Sequence, residues 1–167
     1  DDARIGKELT AWITKQRKQP LHEQMHAAWY CVRAMDRRFE ESEARFIEAL
    51  HGLGVPVILV FTQVPMTGGE FHPDAVALAR EIVEMNLPIE GGRPVMTYAM
   101  RDQFTGQPAH GLIDLMRVTF LAVPEAVHTA FAAAQQVDLN AKARQANQHI
   151  GASVAAAGAA AAVPIPF

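Results

Sequence analysis

The sequence has little of several features that would assign it to a class at once. Of its 167 residues one is a cysteine, and the formal net charge is only −3. Cys31 cannot form an internal disulfide, and because it lies in an apolar run we expect a buried thiol in a reducing compartment. The chain also lacks the basic excess of nucleic-acid-binding domains and the charge blocks of disordered tails.

Targeting and membrane-spanning segments are missing as well. The first residues, Asp-Asp-Ala-Arg-Ile, do not show the basic stretch followed by an apolar one that marks a signal peptide. The uncharged stretch 150–163 is shorter than the roughly 20 residues that span a bilayer. The chain does not begin with methionine, so we expect part of a longer protein or a processed product. The expected location is the cytoplasm, or the membrane periphery.

Three short apolar runs are the clearest structural signals that are present. They cover residues 27–32, 55–61 and 94–100, and each is of strand length and rich in β-branched or aromatic residues. None alternates between apolar and polar residues. Such runs are typical of central parallel strands covered on both faces.

Helical patterns lie before, between and after these runs. We expect helices over residues 4–18 and 39–53, a third that begins at Pro73, and a fourth over residues 112–120. Strands that alternate with helices indicate parallel strands joined by right-handed crossovers. The predicted fold class is therefore α/β: a partial three-layer α/β/α arrangement with a parallel sheet of about three strands, plus a C-terminal α-helical tail.

The composition changes after residue 122, and we predict a domain over 1–122 and an Ala-rich helical tail over 123–167. The small residues of the tail suit close helix packing against its own domain or a partner. A hairpin that contacts a membrane is the alternative.

A zinc site is one reading of His22-Glu23-Gln24-Met25-His26, which matches H-E-x-x-H. On a helix, His22 and His26 would lie on one face and could bind Zn²⁺, with Glu23 as the base for the bound water. Pro20 allows the motif only at the start of a helix, and the apolar run follows His26 directly. The alternative is an exposed His22 and a His26 that caps the strand.

The segments around the first two runs resemble a known family. The residues His26-Ala27-Ala28-Trp29-Tyr30-Cys31-Val32, Arg37-Arg38-Phe39 and Val55-Pro56-Val57-Ile58-Leu59-Val60-Phe61-Thr62-Gln63 resemble the latter half of Era-like and dynamin-like P-loop GTPase domains. The Ala-rich tail that ends Pro-Ile-Pro-Phe is similar to a segment that follows this domain in one bacterial branch.

This resemblance implies a nucleotide site of which the chain carries one side. GTP and Mg²⁺ are the ligands of a complete domain, but no G-x-x-x-x-G-K-[ST] motif occurs here, and Gly6-Lys7 is followed by Glu8. Without that loop the phosphates have no cradle of backbone N–H groups, so we expect no hydrolysis by this chain alone.

The base side of the site is implied after the second run and at the end of the third. In the family a [Asn/Thr]-Lys-x-Asp segment holds guanine; here Thr62 matches it, Gln63 stands in place of the Lys and Pro65 in place of the Asp. Ala99 takes the place of the Ser-Ala loop that touches the base oxygen. Gln63 can pack an aliphatic stem on a base, but Pro65 cannot accept the hydrogen bonds that the family's Asp accepts.

Three functions therefore remain open. The first is a GTP-binding protein fragment with a degenerate base site, and the second is a non-catalytic interaction module. The third is a zinc-dependent hydrolase. The expected partner is the missing N-terminal half of the domain, or a second copy that pairs along the edge of the strand Trp29–Val32.

Overall fold

The structure is a computed structural model that describes residues 2–20, 23–103, 106–124 and 127–128. The described residues up to Pro124 belong to one compact unit. They form four α-helices: α1 Asp2–Gln16, α2 Glu41–Gly52, α3 Pro73–Glu84 and α4 Leu112–Ala122. They also form five strands: β1 Ala28–Arg33, β2 Val57–Thr62, β3 Met66–Thr67, β4 Glu70–Phe71 and β5 Val95–Met96.

A three-stranded parallel sheet with the order β1-β2-β5 is the centre of this unit. Ala28 of β1 pairs with Val57 of β2, and Val60 of β2 pairs with Val95 of β5. The first five residues of β2 are buried on both faces of the sheet, as its unbroken apolar sequence predicts. The mixed α/β fold with a parallel sheet of three strands is thus confirmed.

Helices cover the two faces of the sheet unequally. On one face, Val57, Leu59 and Phe61 of β2 pack in a core to which α1, α2 and α3 contribute. On the other face, Ile58 and Val60 pack against α4. The three layers are α/β/α, and the second helical layer is represented here by α4 alone within the described residues. The first core contains Ile13, Ile47, Leu50, Ala75, Leu78 and Ile82 from the helices.

β1 differs from the prediction because burial along it alternates. Trp29, Cys31 and Arg33 are exposed, and Val32 is buried. The expectation of a buried thiol at Cys31 was therefore wrong. The reason is position: β1 lies at the side of the sheet, and Trp29 and Cys31 stand beside Ile58 and Val60 on the face that α4 covers only in part.

The third apolar run forms less strand than expected. Only Val95–Met96 pairs with β2, and Tyr98 forms an isolated antiparallel bridge with His110. The loop after β2 contains more structure than expected, because Met66–Thr67 and Glu70–Phe71 pair as an antiparallel hairpin. The turn residues Gly68 and Gly69 both have positive φ, which glycine adopts without steric cost.

The helices follow their sequence signals closely. α3 begins at Pro73, and the Nδ1 atom of His72 accepts a hydrogen bond from the backbone N–H of Asp74. At the start of α2, the Glu43 carboxylate accepts from the backbone N–H of Glu40 at 2.7 Å. No helix among the described residues has the length and apolar character needed to cross a membrane. The predicted tail 123–167 lies, apart from residues 123, 124, 127 and 128, outside the described part.

Candidate functional site

The residues predicted to face a nucleotide base lie where the parallel strands end. Thr62 is the last residue of β2, and Gln63 and Pro65 follow it. Ala99 lies three residues beyond β5. In open α/β sheets, ligands bind outside the carboxyl ends of the strands. The structure therefore places all four predicted residues at that end of the sheet.

Backbone hydrogen bonds join the two segments that carry these residues. The N–H of Val64 donates to the carbonyl of Thr97 at 3.0 Å. Both the N–H and the hydroxyl of Thr97 donate to the carbonyl of Phe61, at 2.8 and 2.9 Å. The loop after β2 and the segment leading to Ala99 are thus held side by side.

Of the three predicted residues at the end of β2, Gln63 is exposed, whereas Thr62 and Pro65 are half-buried. The φ of Gln63, 55°, lies in the left-handed region, which is uncommon for a residue with a side chain. Thr62 is half-buried, and its hydroxyl donates to the carbonyl of Val32 at 3.3 Å. Gln63 is exposed, so its stem and amide are available to a ligand while Thr62 is used within the sheet.

Pro65 offers a ligand no polar side-chain atom. Its carbonyl accepts a hydrogen bond from the N–H of His72 at 2.9 Å, which closes the β3–β4 hairpin onto the loop. Pro65, which stands in place of the aspartate of the family that the chain resembles, thus contributes a backbone acceptor to the hairpin and no carboxylate. A base bound beside Pro65 would have to find its acceptor elsewhere.

His110 is a residue of this region that the sequence reading missed. Its Nε2 atom lies 2.9 Å from the carbonyl oxygen of Val64, and its backbone exchanges two hydrogen bonds with Tyr98. Its ring packs near Phe71, with centroids 5.7 Å apart, and near Tyr98, at 6.1 Å. In the sequence it is one of the five histidines outside the His22–His26 motif, which have no ligand spacing, and no local pattern distinguishes it.

The residues of the zinc hypothesis do not lie on a described helix. His22 is outside the described residues, and Gln24 to Ala27 are not helical. The i, i+4 geometry of H-E-x-x-H needs a continuous helix from His22 to His26. In the part of the chain that the structure describes, no group of three or more His, Cys, Asp or Glu side chains could hold a metal ion.

Two ionisable side chains on β1 have raised pKa values. Burial raises the pKa of Tyr30 to about 12, and the neighbouring Glu43 carboxylate, which accepts from the Tyr30 hydroxyl at 3.3 Å, adds to the effect. Burial of the sulfur also raises the pKa of Cys31, although the residue as a whole is exposed. A raised pKa lowers the thiolate fraction at neutral pH, which does not favour a nucleophilic role for Cys31.

A groove with a volume of about 730 Å³ lies between α3 and α4. Its lining includes the apolar residues Val83, Val95 and Val118, and its charged residues are balanced. Arg117 pairs with Asp114 on α4 at 3.1 Å. The remaining charged lining residues are Arg80, Glu84, Glu90 and Arg93, and none of the four predicted base-side residues lines the groove.

Comparisons with family models, with curated proteins and with solved structures gave no match. The resemblance to P-loop GTPase domains therefore stays a prediction from the residues quoted from the sequence.

Proposed function

We propose that this chain forms the base-binding side of a nucleotide site in a GTPase-like α/β domain. The observation that carries the proposal is the pairing of the two relevant loops: Val64 donates to Thr97, so Gln63 and Ala99 extend from neighbouring segments at the carboxyl ends of β2 and β5. This is the place where open parallel sheets bind ligands. The parallel order β1-β2-β5 is compatible with the latter half of such a domain.

The proposal covers base binding and not hydrolysis. The sequence contains no phosphate-binding loop, so the chain fits neither the triphosphate nor Mg²⁺. Strong discrimination for guanine is not expected either, because Pro65 cannot accept from the N1 and N2 hydrogens of the base. The chain should therefore bind a purine nucleoside weakly, through packing on Gln63 and contacts to backbone groups.

A titration of the ¹⁵N-labelled chain with guanosine, followed by amide chemical shifts, tests this proposal. We expect fast-exchange shifts at Thr62, Gln63 and Ala99 with millimolar guanosine. Adenosine should shift the same amides to a similar extent. Gln63→Ala should weaken binding, whereas Gln16→Ala, which changes a glutamine at the end of α1, should leave it unchanged. Shifts that are absent, or that are scattered over the surface, would refute base binding.

A non-catalytic interaction module is the second candidate, and the exposed side of β1 favours it. Trp29 is 47% exposed on a sheet face next to α4, with Cys31 and Arg33 also exposed on this strand, and its indole N–H donates to the Thr119 hydroxyl at 2.9 Å. If no nucleoside perturbs the loop after β2 but a protein partner perturbs Trp29 and Cys31, this function replaces the first.

A further inference from the structure

The loop Gln63–Pro65 is anchored at its middle residue. Val64 is fully buried, and both of its backbone groups are bonded. Its N–H donates to Thr97 at 3.0 Å, and its carbonyl oxygen lies 2.9 Å from Nε2 of His110. Since Gln63 and Pro65 flank this anchor directly, the conformation of the loop depends on what holds Val64.

His110 is itself held from several sides. Its N–H donates to the Tyr98 carbonyl at 3.0 Å, and its carbonyl accepts from the Tyr98 N–H at 3.1 Å. The ring contacts Phe71 of the hairpin and Tyr98. The next residue, Gly111, lies so close to the Met96 carbonyl that a Cβ atom would collide with it. These contacts therefore fix the position of the imidazole ring between β4, β5 and α4.

The contact with Val64 selects one tautomer of the His110 ring. A carbonyl oxygen can only accept, so Nε2 has to carry the proton. Nδ1 is then an acceptor, and it is buried without a hydrogen-bond partner among the described residues. In the other tautomer the Nε2 lone pair would face the oxygen of Val64, and the Nδ1 proton would have no acceptor.

We propose that His110 is the positioning residue of the loop Gln63–Pro65, and that it acts through the Nε2–H···O=C hydrogen bond to Val64. Through Val64 it orients Gln63, and through its backbone bonds to Tyr98 it places the neighbouring Ala99. His110 thus contacts both segments of the base side, the loop after β2 through its ring and the segment before Ala99 through its backbone. Its effect on the loop is independent of any ligand, whereas its effect on nucleoside affinity rests on the proposed function.

Two amide substitutions separate this hydrogen bond from simple filling of space. The side-chain nitrogen of Gln lies near the position of the histidine Nε2 atom, so His110→Gln can still donate to Val64. The side-chain nitrogen of Asn lies near the position of Nδ1, so His110→Asn cannot reach the carbonyl. The two variants are similar in polarity and differ in the position of the donor.

Amide hydrogen exchange of the full chain gives the ligand-free readout. In His110→Asn we expect exchange of the Val64 amide to rise roughly two- to tenfold, because one hydrogen bond is lost. In His110→Gln it should stay near the wild-type rate, and the amide of Leu59 in β2 should be unchanged in both variants. Equal exchange at Val64 in all three proteins, or an equal rise in both variants, would overturn the proposal.

The ¹⁵N shifts of the His110 ring test the proposal in the wild-type chain, with no substitution that could disturb folding. In the neutral ring we expect the proton on Nε2 and none on Nδ1, and the opposite tautomer would overturn the proposal. Guanosine titrations of the two variants then test the link to binding. The affinity for guanosine should fall in His110→Asn by the factor by which exchange of the Val64 amide rises, and it should be retained in His110→Gln. If wild-type protein binds no guanosine, the proposed function fails while the exchange data still decide the role of His110.

Discussion

The contact between Tyr30 and Glu43 joins the outer strand of the sheet to the helix above it. Tyr30 lies on the side of β1 that faces the first core, its ring packs near Phe46 with centroids 5.8 Å apart, and its hydroxyl donates to Glu43 on α2. An ionised phenol in this position would be partly desolvated and would face a carboxylate. Both effects favour the neutral form, which is why the pKa is raised to about 12.

This shift makes the stability of the fold depend on alkaline pH. The folded state keeps the Tyr30 proton up to about pH 12, whereas the unfolded chain loses it near the ordinary pKa of 10.0. The contribution of neutral Tyr30 to the free energy of unfolding is therefore complete below pH 10 and is lost as the pH rises through 10 to about 12. We expect the Tm of the wild type to fall over this range.

Tyr30→Phe should remove part of that fall, because the titrating hydroxyl is gone. The matched control is Tyr98→Phe, which changes the chain's other tyrosine and leaves the Tyr30–Glu43 hydrogen bond in place, so the fall due to that contact should remain. Thermal unfolding followed by circular dichroism at several pH values measures the difference. Parallel curves for wild type and Tyr30→Phe would contradict the assignment.

Single residues also show which features of the candidate site the sequence predicts and which it does not. Thr62 ends β2 and is followed by Gln63 and Pro65, as strand order predicts, whereas Ala99 lies three residues beyond β5 and not at the end of a strand. The role of these residues at a nucleotide base stays a prediction. The role of His110 could not be predicted, since it depends on a contact between residues 46 positions apart in the sequence. Periodicity and local motifs carry no information about such a contact.

At the scale of elements, β2 and β1 show what an apolar run can and cannot predict. Both runs look alike in sequence, yet β2 is buried on both faces and β1 alternates. The difference arises from the order of the strands, which puts β2 in the centre. The hairpin β3–β4 was missed because each strand has two residues, too few to show a period.

Gly111 decides how closely α4 approaches β5. It has a φ of 74° at the start of α4, and a Cβ atom there would lie 1.9 Å from the Met96 carbonyl oxygen. Gly111→Ala should therefore combine backbone strain with a steric clash and cost about 3 kcal/mol of unfolding free energy. Urea unfolding measures this cost.

Gly68 provides the matched control for that substitution. Its φ of 61° is also positive, but a Cβ atom there would meet nothing within 4 Å. Gly68→Ala should then cost about 1 kcal/mol, from backbone strain alone. Equal losses in the two variants would show that α4 can move away from β5 without penalty.

At the scale of the whole molecule, the sheet has an open side. The N–H of Ala28 donates to Pro56 beside β2, and residues of a parallel strand alternate in direction, so the backbone groups of Trp29, Cys31 and Arg33 point away from β2. Within the described residues no strand pairs with this edge. An edge of this length with an exposed tryptophan is a template for another strand.

We therefore expect the isolated chain to associate through β1, with a strand of a second copy or of another protein. Cys31→Lys adds a charge in the middle of the exposed face and should block pairing without disturbing the buried side of the strand. Light scattering after size exclusion, in the presence of a reductant, should show a mass that rises with concentration for the wild type and a monomer for Cys31→Lys. Met100→Lys, at a residue that is 71% exposed outside β1, should associate like the wild type. A wild-type chain that stays monomeric at every concentration would contradict association through the edge of β1.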